Sequence, residues 1–201
     1  MADTYNFIFS GRSGCGKGTQ VALMKDYLKN ELSSEKPVLY VETGHKFRDY
    51  IEGTSFSSRK SKVLMEDGKF QPSFLAVHMW SSVFTEQLTG DEHIFMDGMP
   101  RTKQEAEILE TAMEFYDISP VHFIYVNVSR DWARERLLTR GRADDTAGKA
   151  IERRLDSFET EVMPAIEYYR SKGSRYNFIE VNGEKAKEEV IKEIISKVWP
   201  R

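Results

Sequence analysis

Apolar residues gather in five short runs: Asn6 to Phe9, Val38 to Val41, Ile94 to Met96, Val121 to Val128 and Asn177 to Val181. Each is apolar almost throughout instead of alternating, and each therefore predicts a short strand buried on both faces. Between the runs, apolar positions return at helical spacing, as at Val21, Met24, Leu28 and Leu32, and again at Val190, Ile194 and Val198. Strands alternating with helices predict an α/β fold, a parallel five-stranded sheet with helices on both faces. Pro164 falls inside a helical pattern from about Lys149 to Lys172, which predicts a kink or break there. Two polar stretches, "TGHKFRDYIEGTSFSSRKSKVLMEDGKFQP" and "RGRADDTAG", read as inserts between strands and not as simple crossovers.

Composition narrows the partners. The 201 residues are 40% hydrophobic, enough for a single core. A net charge of -3 argues against a nucleic-acid partner, which calls for a basic surface. Cys15 is the only cysteine, which excludes an intramolecular disulfide and a multi-cysteine structural zinc site. The opening "MADTYNFIFS" lacks the basic region of a signal peptide, and no later stretch is apolar for long enough to span a bilayer. A cytoplasmic protein with no membrane partner is the expectation.

Candidate chemistry begins where the first strand run ends, in "GRSGCGKGTQ". Gly11, four residues, Gly16 and Lys17 match a phosphate-binding loop up to its last position, where Gly18 then Thr19 stand in place of an immediate Ser or Thr. Such a loop turns backbone N–H groups inward around an anion, and the helix after it adds the positive end of its dipole. Gly11, Ser13, Gly14, Cys15, Gly16, Lys17, Gly18 and Thr19 are thus expected to hold nucleotide phosphates. The same surroundings are expected to make the Cys15 thiol reactive. Asp97 ends the run "HIFMD" at the carboxyl end of a strand, where ligands sit in open α/β sheets. With Gly98 and Pro100 directly after it, it suits a magnesium ion held through water better than the N-cap of the next segment, the plain alternative. Arg136 and Arg140 are four apart, so they share a helix face; a solvated basic face is the plain alternative.

The "GKGTQ" variation, with "TGHKFR" (Thr43 to Arg48), "DGMPRT" (Asp97 to Thr102), and "RERLLTRGRADD" followed by "ERRLDSF", resembles the adenylate kinase family over nearly the whole chain. The resemblance implies a P-loop nucleoside-triphosphate-hydrolase-like three-layer sandwich. It divides the chain into a core (1–42, 73–139, 148–201), a monophosphate-binding insert (43–72) and a very short lid (140–147). It implies a monomeric enzyme that moves a phosphoryl group from ATP, with Mg2+, to AMP. By the same resemblance Thr43, Gly44, Arg48, Gly98 and Arg101 bind the acceptor. Lys17, Arg101, Arg136, Arg142 and Arg154 surround the transferred group, with Arg142 and Arg154 also on the acceptor and Arg136 and Arg140 on ATP. "EVNGEK" resembles the loop that cradles the ATP base, through Asn182 and Gly183. In "MEDGKFQP", Phe70 and Gln71 replace the family's leucine and valine.

Two alternatives stay open: a UMP/CMP or other-base monophosphate kinase, and a non-catalytic ATP-binding module. Thr43 speaks against the pyrimidine kinases, whose members usually carry a smaller residue there. At the family's base-reading glutamine stands Glu105, with Gln104 one residue earlier. A carboxylate can accept from the adenine amino group but cannot donate to the ring. AMP is still the expected acceptor, with weaker discrimination, and Glu105→Gln is expected to improve its use by about 1–2 kcal/mol. A helix-first-turn acid is the structural alternative for Glu105.

Overall fold

The computed structural model describes residues 4–141 and 148–200. Five strands among them, β1 (Asn6–Ser10), β2 (Val38–Glu42), β3 (His93–Asp97), β4 (Val121–Asn127) and β5 (Tyr176–Asn182), end within one residue of the expected runs. They form one parallel sheet in the order β2-β3-β1-β4-β5. The helices are α1 (Lys17–Asn30), α2 (Thr43–Tyr50), α3 (Phe56–Glu66), α4 (Ser73–Gln87), α5 (Lys103–Phe115), α6 (Arg130–Thr139), α7 (Gly148–Ser157), α8 (Met163–Arg170) and α9 (Lys187–Val198).

Alternation along β1 divides the core. Phe7 and Phe9 point to one face, where Val21, Met24 and Leu28 of α1 and Val190 and Ile194 of α9 cover them. Ile8 points to the other, under Trp80 and Val83 of α4, Leu109 of α5 and Ile166 of α8. The result is a three-layer α/β sandwich. Full burial on both faces holds for the inner strands β1 and β3, but not for the edge strand β2, where Val38 and Tyr40 remain 39% and 37% exposed. An edge strand has one hydrogen-bonded neighbour, and the helical layers do not reach fully over it.

The expected break at Pro164 takes the form of a π-helical turn, Phe158–Val162, between α7 and α8. The Met163 N–H bonds back to the Phe158 carbonyl, five residues earlier. Proline lacks an N–H and its ring collides with the carbonyl four residues before it; one wider turn accommodates both without ending the helix.

Parallel register sets the working edge. Asp97 is the register partner of Phe9 on one side and of Glu42 on the other. The chain leaves β1 toward β2 and leaves β3 toward β4, so the carboxyl ends of β1 and β3 flank the point where the connections diverge. That is where open α/β sheets place ligands.

Candidate active site

Gly11 carries the chain out of β1 with φ +142°, and a Cβ there would lie 2.4 Å from the Val126 carbonyl oxygen. Only glycine passes this close to β4. The loop then wraps over the start of α1, and Lys17 Nζ donates to the carbonyl oxygens of Gly11 (2.8 Å) and Arg12 (3.0 Å). Ser13, Gly14, Gly16, Lys17, Gly18 and Thr19 line a cavity of about 590 Å³. Asp97, Gly98 and Arg101 line it as well, together with Gly44 and Arg48 and with Arg136, Arg140 and Arg154.

Asp97 is 7% exposed, and burial raises its carboxyl above the ordinary range against the opposing pull of Lys17 and of a hydrogen bond from Tyr40. The Tyr40 hydroxyl lies 2.9 Å from Asp97 Oδ2. A Cβ on Gly18 would stand 3.5 Å from the same oxygen, an ordinary contact, so the head of α1 faces this carboxylate directly. Asp97 therefore has the hard oxygen donor and the position that suit a divalent cation beside bound phosphates.

Arg101 is fixed at two points. Its Nε donates to the Gly98 carbonyl (3.0 Å), and its backbone N–H donates to Glu105 Oε2 (3.0 Å). The guanidinium lies over the Phe70 ring, 5.1 Å from its centre. Burial draws the Arg101 pKa down and Glu105 draws it up; a guanidinium stays charged under such shifts. Thr102 caps α5 by accepting the Glu105 N–H at 3.1 Å, while Glu105 reaches back to Arg101, a capping box displaced by one residue. Glu105 is 2% exposed and its pKa is raised by burial.

Not every expected residue reaches the cavity. Thr43 and Glu105 are buried beside it, Gln104 is exposed on α5, and none of the three is in its wall. Asn182 and Gly183 stand at the end of β5, where the Gly183 N–H donates to the Asn127 carbonyl (2.8 Å), outside the cavity lining. Cys15 is 2% exposed, its sulfur turned toward Gly11 and Lys17, so the thiol expected to be reactive is not presented at the surface. Arg142 and most of the expected lid lie outside the described residues.

The family model for adenylate kinase matches residues 9–174. An adenylate kinase of Corynebacterium aurimucosum is 35% identical over 164 residues, covering 81% of this chain and 84% of its own. One from Oenococcus oeni is 31% identical over 180 residues, covering 89% and 90%. One from Corynebacterium glutamicum is 33% identical over 178 residues, covering 88% and 91%.

The chain belongs to the adenylate kinase family.

Membership makes it a phosphotransferase that binds nucleotides. Sequence reasoning missed several residues of this adenylate kinase fold's cavity: Tyr40 and Glu42 of β2, Phe47, Met65, and Lys69, together with any structural task for Phe70 and Gln71. The period-two spacing of Tyr40 and Glu42 on an edge strand was the available signal. Gln71 is committed internally: its amide accepts from Ser61 Oγ (2.7 Å) and donates to the Ser61 carbonyl (3.0 Å). It ties the middle of α3 to the segment leading into α4.

Proposed function

We propose that this chain transfers the γ-phosphoryl group of MgATP to AMP, giving two ADP. The observation that carries this reading is that the phosphate loop with Lys17 and the pair Arg48 and Arg101 line one cavity of about 590 Å³. A donor phosphate and an acceptor phosphate can meet there only as neighbours.

In this reading Gly11 to Thr19 and Lys17 hold the ATP phosphates, Arg136 and Arg140 add charge on the ATP side, and Asn182 and Gly183 approach its base. Thr43, Gly44, Arg48, Gly98 and Arg101 hold AMP, with Gln104 and Glu105 at the base end and Glu105 also fixing the Arg101 backbone. Arg142 and Arg154 are assigned to the acceptor and to the transferred group. An AMP phosphate oxygen attacks the γ-phosphorus as the bond to the β-bridging oxygen breaks, and the electron pair leaves with ADP. No general base is required, because the second pKa of a phosphate ester is about 6. Lys17, Arg101, Arg136, Arg142 and Arg154 offset the charge that spreads over the equatorial oxygens. Asp97 would hold Mg2+, which when bound neutralises the β- and γ-phosphate charge. No structural zinc is invoked.

The division into core, insert (43–72) and short lid (140–147) belongs to the same proposal, as does a monomer in the cytoplasm without nucleic-acid or membrane partners. The net charge of -3 supports the exclusion of nucleic acid. Among the described residues no helix is long and apolar enough to cross a membrane.

A panel of AMP, GMP, CMP and UMP, each with MgATP, tests the assignment. AMP should give the highest kcat/KM. A preference for CMP or UMP would move the chain to the pyrimidine kinases, and no turnover with any acceptor would favour a binding module.

A further inference from the structure

Glu42 ends β2 in register with Asp97 and lines the cavity beside Arg48. Its Oε1 accepts from Arg48 Nη2 at 2.9 Å, and its Oε2 lies 3.3 Å from the Tyr40 hydroxyl. Three groups converge over Gly44: a Cβ there would stand 3.4 Å from Arg48 Nη1, 3.4 Å from Arg101 Nη2 and 3.7 Å from Glu42 Oε1. Two guanidinium forks thus point at one spot, and a carboxylate stands among them.

We propose that Glu42 is an internal competitor of the acceptor phosphate, occupying part of the arginine fork until a dianionic phosphate displaces it. This inference rests on the reading of Arg48 and Arg101 as the acceptor site. A carboxylate and a phosphate cannot both take Arg48 Nη2, and at a few ångströms they repel through a partly wet cavity. A phosphate monoester carries close to two charges above its second pKa of about 6 and prevails over a singly charged carboxylate. An acceptor with one charge or none does not. Once displaced, Glu42, whose side chain is 27% exposed, turns to water and is not stranded, while the single Tyr40 hydroxyl proton stays with Asp97. Glu42 is then a specificity-determining residue that weakens every acceptor but excludes those without a dianionic phosphate.

Calorimetric titration of AMP, and separately of adenosine, into the full chain without ATP tests this in the parent, Glu42→Gln and Glu42→Ala. Both variants should bind AMP about tenfold more tightly, with adenosine affinity changed less than about twofold. Two substitutions guard against a fault peculiar to one side chain. Unchanged or weaker AMP binding in the variants would mean that Glu42 orients Arg48 instead of competing, which overturns the inference. Equal tightening for adenosine would overturn it too. A parent that binds no AMP would remove the acceptor-site reading itself, and this inference with it.

Discussion

Gly68 stands against Ala150: a Cβ on Gly68 would lie 2.2 Å from the Ala150 carbonyl oxygen and 2.7 Å from its Cα. The backbone after α3 therefore touches the backbone of α7. Beside this contact Asp67 pairs with Arg153 at 2.8 Å, and the next residue on α7 is Arg154, which reaches the cavity. The segment after α3 and the helix that presents Arg154 are fastened to each other.

Gly68→Ala adds a carbon where none fits, at φ +71°. The left-handed backbone and the overpacking together should cost about 2–5 kcal/mol. Denaturant titration measures it, and kcat should fall as Arg154 loses its seat. A stability change below about 0.5 kcal/mol would mean that the two backbones do not meet in solution.

Arg101→Lys keeps a positive charge but gives up both the bond from Nε to Gly98 and the planar fork over Phe70. Turnover should fall on the order of a thousandfold, about 4 kcal/mol of transition-state stabilisation. Steady-state kinetics with MgATP and AMP read this directly. A loss smaller than about tenfold would assign the acceptor phosphate to another residue.

Glu105 gives a pH-dependent prediction. Burial raises its pKa, so the native protein keeps that proton to higher pH than the unfolded chain does. The parent therefore loses stability as pH rises from the ordinary carboxyl value of about 4.3 through the raised one. Gln does not titrate, yet its amide oxygen still accepts the Arg101 N–H. The stability of Glu105→Gln relative to the parent should climb across that window and level off above it, measured by denaturant midpoints from about pH 4 to about pH 8. A difference that stays flat over this range would contradict the buried placement. Glu105→Ala, which leaves the Arg101 N–H without its acceptor, should cost about 1–3 kcal/mol at all these values.

Much of the fold was legible because it depends on local pattern. The strand runs, the glycine-rich loop and Pro164 carry their signals within a few residues, and Arg136 and Arg140, four apart, both line the cavity. What escaped depends on register between distant segments. Glu42 and Asp97 are side by side only because β2 pairs with β3, and Tyr40 reaches Asp97 for the same reason. Cys15 sits in an apparently open loop, yet the turn at Gly11 and the packing of β4 bury it. Glu105 occupies a base-reading position by resemblance, while its carboxylate is engaged with the Arg101 N–H through local helix-cap geometry. Gly68 looks like an ordinary turn glycine until α7 is seen against it.

The fate of the γ-phosphoryl group tests the central claim most directly. ATP labelled at its γ-phosphorus is mixed with Mg2+, unlabelled AMP and purified protein, and the products are separated. Direct transfer predicts that each turnover yields one ADP labelled at its β-phosphorus and one unlabelled ADP, with label loss from ATP dependent on AMP. Label released as inorganic phosphate, or lost from ATP at the same rate without AMP, would contradict the account.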